Sequence, residues 1–137
     1  MKKIDVNNSK SYRIQIDVCN ELFNAGYKGL QRSFIKIPKF FVKNNINPNC
    51  SIWFPKIIED KNWKNNLTND GNTFIQINLK SVDEKNKDYD NNRVTFARYK
   101  EGFKFIGVFK PHKHYTNEKG LSVWEFTKIS DTCEIVV

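Results

Sequence analysis

The stretch RVTFARYKEGFKFIGVFK, residues 93–110, constrains the fold more than any other part of the chain. Two strand-like runs meet at Lys100, Glu101 and Gly102, a short connection with glycine where a positive φ is expected, which is the sequence form of an antiparallel hairpin. In the second run Phe103, Phe105 and Phe109 are expected on one face with Gly107, and Lys104, Ile106, Val108 and Lys110 on the other. The phenylalanine face reads as core, and Gly107 as a bend or close-approach point in a curved sheet. The stretch also holds five basic residues and one acid, so its polar face is a candidate for holding anions.

The flanking segments extend this pattern. LSVWEFTKIS and CEIVV read as further strands of an antiparallel meander, with PHKHYTNEKG as a connection. TFIQINLK, residues 73–80, alternates, with Ile75, Ile77 and Leu79 on one face and Gln76, Asn78 and Lys80 on the other. SIWFPKII, residues 51–58, reads as a strand whose Pro55 argues for an edge position or a bulge, because proline cannot donate to a ladder. EDKNWKNNLTNDGN and SVDEKNKDYDNN read as long polar loops, the first carrying Trp63. Toward the N-terminus, residues 1–10 are polar and expected to be loose. Tyr12, Ile14, Ile16 and Val18 alternate as in a strand, but Ile16, Cys19 and Phe23 fall at helical spacing. With Ser11 as a cap and Gly26 as a left-handed terminator, a helix over about 12–25 is predicted. GLQRSFIKIP and KFFVKNN read as short extended or irregular pieces, and NINPNC as a turn. The expected fold is α+β: a curved, largely antiparallel sheet or small β-barrel of five to six strands, with one or two N-terminal helices, in a single domain over residues 1–137.

Eleven Phe, five Tyr and three Trp among 137 residues are enough to build a core without disulfides or metals. Cys19, Cys50 and Cys133 are odd in number and lack any CxxC spacing, so reduced, buried thiols are expected. No apolar run approaches the ~20 residues that span a bilayer, and MKKIDVNNSK lacks the apolar segment of a signal peptide. A cytoplasmic protein without membrane contact is the expectation. The net charge of +8 is concentrated in residues 1–50 (+6) and 93–128 (+5), which flank a nearly neutral middle. Two such segments favour encounter with polyanions, so nucleic acid, DNA or RNA, is the first partner considered.

Arg93, Arg98, Lys104, Lys110 and Lys128 are candidates for a basic stripe along phosphates. Trp53 and Trp124 fall in strands and read first as core, whereas Trp63 is either pinned to the surface or presented to a ligand. A base held by stacking could have its polar edge read by Asn65, Asn66 or Gln76. His112 and His114 form an HxH pair without a third ligand at any recognisable spacing, so neither metal nor cofactor is expected. Glu84 and Lys87 miss the (Asp/Glu)-x-Lys spacing of metal-dependent nucleases by one residue, and no HExxH, GxSxG or phosphate-binding glycine loop occurs. Catalysis is therefore not indicated, and a non-catalytic nucleic-acid-binding module is the leading expectation. Two alternatives stay open: a small protein-binding inhibitor acting on a partner such as a defence nuclease, and a metal-independent ribonuclease toxin.

The succession IWFPKI, WKNNLTNDGNTF, RVTFARYKEGFKFIGVF and VWEFTKIS resembles the small β-barrel modules of the PUA-like group, which includes the SRA and EVE modified-base readers of bacterial restriction and phage defence. The resemblance spans roughly residues 50–130. It implies a reader that takes a nucleotide, in some relatives flipped from its duplex, into an aromatic-walled pocket near the barrel mouth, with basic residues on the flanking phosphates. On that basis Trp53, Trp63 and Tyr99 are the candidate base-stacking residues, and Arg93, Arg98, Lys104 and Lys110 the backbone contacts.

Overall fold

The hairpin of residues 93–110 lies at the centre of the molecule. A computed structural model describes residues 2–29, 34–36, 41–42, 50–80 and 91–136. Their elements are β1 (Lys2–Asp5), β2 (Ser11–Tyr12), α1 (Gln15–Phe23), β3 (Phe34–Lys36), β4 (Phe41–Val42), β5 (Cys50–Trp53), β6 (Trp63–Leu67), β7 (Thr73–Asn78), β8 (Asn92–Tyr99), β9 (Gly102–Thr116), β10 (Ser122–Ser130) and β11 (Thr132–Val136). The main sheet runs β3-β5-β8-β9-β10-β7-β6, and a smaller one runs β1-β11-β4. Pairing is antiparallel throughout except for β5 against β8. The expected α+β architecture with a curved sheet is what forms, with one helix among the described residues and more strands than the five or six expected.

Ring contacts reveal how strongly the sheet curls. Trp53 of β5 lies 4.9 Å from Phe74 of β7 and 4.7 Å from Phe126 of β10, centroid to centroid. In the sheet β8 and β9 stand between β5 and β10, so a flat sheet would hold those strands about 14 Å apart at ~4.8 Å per step. The inner face therefore folds onto itself around a core of Trp53, Phe74, Ala97, Ile106, Phe109, Trp124 and Phe126. The outer face of β5, β8 and the first half of β9 is covered by a second core. There Val18, Cys19, Leu22 and Phe23 of α1 meet Ile52, Phe54, Val94, Phe96, Phe103 and Phe105. Covered on both faces, β8 is buried from Asn92 through Ala97.

A bulge divides the phenylalanines that sequence alternation places together. Thr95 pairs with Gly107 but Phe96 with Phe105, so β9 carries an extra residue at Ile106. Phe103 and Phe105 consequently enter the outer core, and Phe109 joins Ile106 in the inner one. Gly107 has φ +131°, and a Cβ there would lie 2.7 Å from Lys128 Cε, so it is the expected close-approach point. Gly102 shares that φ, and its Cβ would sit 2.3 Å from the Tyr12 carbonyl oxygen, where β2 crosses the hairpin end.

Several local expectations are corrected. The helix starts at Gln15 because Ser11 and Tyr12 are spent on a ladder with Lys104 and Phe103, so Ser11 cannot cap it. Its left-handed terminator is Asn24, at φ 52°, ahead of Gly26. Residues 2–5 of the supposedly loose terminus pair with β11. Residues 63–67, expected in a loop, form β6. Beyond β9's start the connection 111–116 continues the strand. Pro55 marks neither an edge strand nor a bulge: β5 is interior, its ladder breaks at Phe54 and Pro55, and it resumes with a Lys56–Arg98 bridge. Pro55 has no N–H to give, and its carbonyl instead accepts from the Arg98 amide at 2.8 Å. On β7 the faces divide as expected, but Phe74 and Gln76 are buried, whereas Ile75 and Ile77 are half-buried and Leu79 is exposed. The stretches 81–90 and 43–49 lie outside the described residues. No helix among the described residues is long and apolar enough to cross a membrane.

All three cysteines are buried and none forms a disulfide. Burial pushes the Cys19 thiol up to about 11, and those of Cys50 and Cys133 up to about 12. A raised pKa keeps the reactive thiolate scarce at pH 8. A thiol-specific disulfide reagent at that pH is expected to titrate none of them in the folded protein and all three in denaturant. Gly102→Ala is expected to destabilise by at least about 1 kcal/mol in urea unfolding, since it adds both a strained φ and a backbone clash.

Candidate nucleic-acid interface

Pairing across the four strands β9, β10, β7 and β6 sets out one row of side chains. His114 pairs with Trp124, Trp124 with Gln76, and Gln76 with Asn65. One pair further along, Thr116 meets Ser122 on one side and Trp63 meets Asn78 on the other. Residues two apart on a strand share a face, so this end continues the inner face that bears Phe74 and Phe126. The apolar centre thus gives way to a polar end. Asn65, Gln76 and Ser122 are 7, 6 and 1 % exposed, and Ser51 and Arg93, paired on β5 and β8, are similarly buried.

Buried polar groups on a sheet interior are costly unless they are paired, at about 1–3 kcal/mol for each that is not. Asn65 shows how its own polarity is divided. Its Nδ2 donates to the Lys56 carbonyl at 2.8 Å, joining edge strand β6 to the segment after β5 where no backbone ladder closes the sheet. A carbonyl accepts and cannot donate, so the carboxamide is oriented and Oδ1 is left as a buried acceptor without a partner among the described residues. Ser51 Oγ and Asn91 Oδ1 are buried and unpartnered in the same way. On the other flank, the His114 ring lies parallel to Trp124 at 4.2 Å and 5°, and its Nε2 is 2.6 Å from Ser122 Oγ. Trp124 is fully buried, while Trp63 and His114 are half-buried.

The five basic residues do not assemble into one stripe. Arg93 is 5 % exposed, with its guanidinium 4.6 Å from both the Trp53 and Phe126 rings on the inner face. Arg98, five residues on, turns to the opposite face and stacks over Phe103 at 5.2 Å. Lys128 is half-buried, 3.1 Å from Asp131 and 5.7 Å from the Phe109 ring. Lys104 and Lys110 are exposed, on either side of the β9 bulge. The three aromatic candidates are also separated. Trp53 is sealed in the core, Trp63 stands at the polar end, and Tyr99 lies at the far end of β8, where burial first and then Glu101 raise its hydroxyl pKa.

Among the residues proposed to read a base edge, Asn65 and Gln76 turn inward and Asn66 is exposed on the other face. His112 is exposed and His114 is engaged with Trp124 and Ser122, and no group of His, Cys, Asp and Glu among the described residues is arranged to hold a metal. The sequence signal missed was the polar alternation of WKNNL, in which Trp63, Asn65 and Leu67 share a face. Ser51, Asn91 and Ser122 carried no sequence signal.

The family model of the SET and RING associated domain matches residues 1–135, and the chain belongs to that family. The match reaches well beyond residues 50–130, taking in β1, β2 and α1. Among solved structures the chain is similar to the 5-hydroxymethylcytosine-specific restriction enzyme AbaSI, with a TM-score of 0.72 and 24% identity over 97% of this chain and 42% of that one. The chain thus spans less than half the length of that enzyme. No curated protein matches it significantly.

Arg93 and Lys110 differ most clearly in burial. Arg93→Ala is expected to cost about 2 kcal/mol or more in urea unfolding, through loss of a desolvated cation–π contact, and Lys110→Ala to stay within about 0.5 kcal/mol.

Proposed function

We propose that the chain is a reader of a modified base in DNA, taking a single nucleobase onto the polar end of the inner face. The observation that carries this is the oriented, buried acceptor of Asn65. An acceptor needs a donor, and the exocyclic amino group of cytosine or adenine supplies one where thymine presents a carbonyl oxygen. The 5-hydroxymethylcytosine specificity of AbaSI supports a cytosine derivative as the first ligand to try. Binding then supplies a hydrogen bond that Oδ1 does not make among the described residues, worth about 1–3 kcal/mol against the unstacking cost of extruding the base.

Trp63, half-open beside Asn65, is the stacking surface of this site, and Gln76 its second polar contact. Trp53 acts from beneath by shaping the sheet, and Tyr99 marks the far rim. Lys104, Lys110 and Arg98 hold phosphates, while Arg93 and Lys128 brace the rings from within the fold. The phosphate share of binding weakens with salt and the base share does not.

Fluorescence anisotropy with a duplex bearing one 5-hydroxymethylcytosine, against its unmodified counterpart, tests the proposal. The modified duplex is expected to bind at least about tenfold more tightly, and Asn65→Leu to weaken its binding about tenfold by removing the acceptor for the exocyclic amino group. Absence of binding to either duplex at about 50 mM salt, where phosphate contacts are strongest, would sink it.

A further inference from the structure

A separate cleft opens where the hairpin end meets β10 and the end of β6, lined by Val6, Leu67, Tyr99, Lys104, Ile106 and Lys128, with the exposed Glu101 on its rim. Its volume is about 310 Å³, at the small end of the range for ligand sites. Lys128 lies four residues beyond Trp124 on β10, about 13 Å away at ~3.3 Å per residue. The cleft shares no lining residue with the row of Asn65, Gln76, Trp124 and His114.

Two irregularities of the sheet meet here. β9 carries its extra residue at Ile106, and β10 shifts register between Lys128 and Ser130. Such bulges re-aim side chains. Gly107 leaves room for the Lys128 stem to cross the sheet, since a Cβ there would lie 2.7 Å from Cε. The Lys128 side chain is consequently only 10 % exposed, a cation held beside the apolar Leu67 and Ile106. Its carboxylate partner, Asp131, is 61 % exposed. An ion pair so open on one side contributes little, whereas an ammonium this deep is costly without an anion.

Charge and shape narrow the ligand. Lys104 and Glu101 are both exposed and offset one another, so within the lining Lys128 sets the balance at one surplus cation. A monoanion matches that balance, while a phosphate dianion would bring a second negative charge near Glu101. Burial first, and then Glu101, raise the Tyr99 pKa, so its hydroxyl stays protonated at neutral pH and keeps a hydrogen to donate.

We infer that this cleft is a second binding site, taking a free small-molecule carboxylate with a short apolar chain. The carboxylate meets the Lys128 ammonium and the Tyr99 hydroxyl, and the chain lies against Leu67 and Ile106. The site does not depend on the base-reading function proposed above, and the failure of either leaves the other standing.

The test is proton–nitrogen correlation NMR of the labelled chain titrated with hexanoate, with hexanamide and dimethyl phosphate as controls. Hexanoate is expected to give saturable shifts confined to the surroundings of Ile106, Gly107 and Lys128, with a Kd of about 1 mM. Hexanamide, which lacks the charge, is expected to bind at least about tenfold more weakly. Lys128→Met keeps the stem over Gly107 and removes the ammonium, and is expected to weaken hexanoate binding at least about tenfold; Tyr99→Phe is expected to weaken it about tenfold. Shifts that fail to saturate below about 20 mM, or that persist unchanged in Lys128→Met, would overturn the inference. Dimethyl phosphate binding as tightly as hexanoate would also overturn it, in favour of a seat for a nucleic-acid phosphate. Should Lys128→Met fail to fold, Tyr99→Phe and the hexanamide comparison decide.

Discussion

The inward wedge of Trp53 against Phe74 and Phe126 is the contact on which the rest of the molecule depends. It joins strands with β8 and β9 between them and so turns a sheet into a trough. Aromatic pairs in offset or edge geometry contribute about 0.5–1.5 kcal/mol beyond their area, and three rings, two of them under one guanidinium, form a centre that few smaller side chains could replace. Arg93 belongs to this centre. Its cation is stabilised by ring faces in a region water does not reach, which is why a residue expected to meet phosphate is instead part of the packing.

Curling has a second consequence at the sheet edge. β6 and β3 end the main sheet without pairing to each other, so the trough stays open as a ladder. Asn65 ties the β6 edge to the segment that follows β5, its amide donating to the Lys56 carbonyl. The residue that ties the edge is also the residue whose oxygen is left facing the interior. Fold and candidate site thus share a group, a buried acceptor without a partner among the described residues.

Much of the strand content was legible because alternation is a local property: β7, β8, β9 and β10 all announce themselves, as do Gly102 and Gly107. Failures occurred where long-range pairing overrode local preference. Residues 11–12 read as the start of a helix, but the edge of β9 beyond the reach of β10 offered them a ladder. WKNNL is too polar to announce a strand, yet β7 needed a partner and Asn65 a place inside. The β9 bulge at Ile106 reversed the faces of everything after it, and no spacing in FKFIGVFK distinguishes an extra residue from a regular one. Of the candidate site, Trp63, Asn65 and Gln76 were in view as residue types, but nothing local told which neighbours they would meet.

What the sequence by itself determined is the class of object: an aromatic-rich, basic, mainly β chain with a central hairpin, strand order like that of PUA-like modules, and three thiols with no bonding pattern. What only the tertiary structure decided is which side of each strand is inside. Burial of a cation, of a carboxamide or of a tryptophan depends on curl, bulges and cross-strand partners, all set by contacts distant in sequence. For that reason Arg93 and Trp53 went to the core, while Asn65 and His114 came to frame the open end.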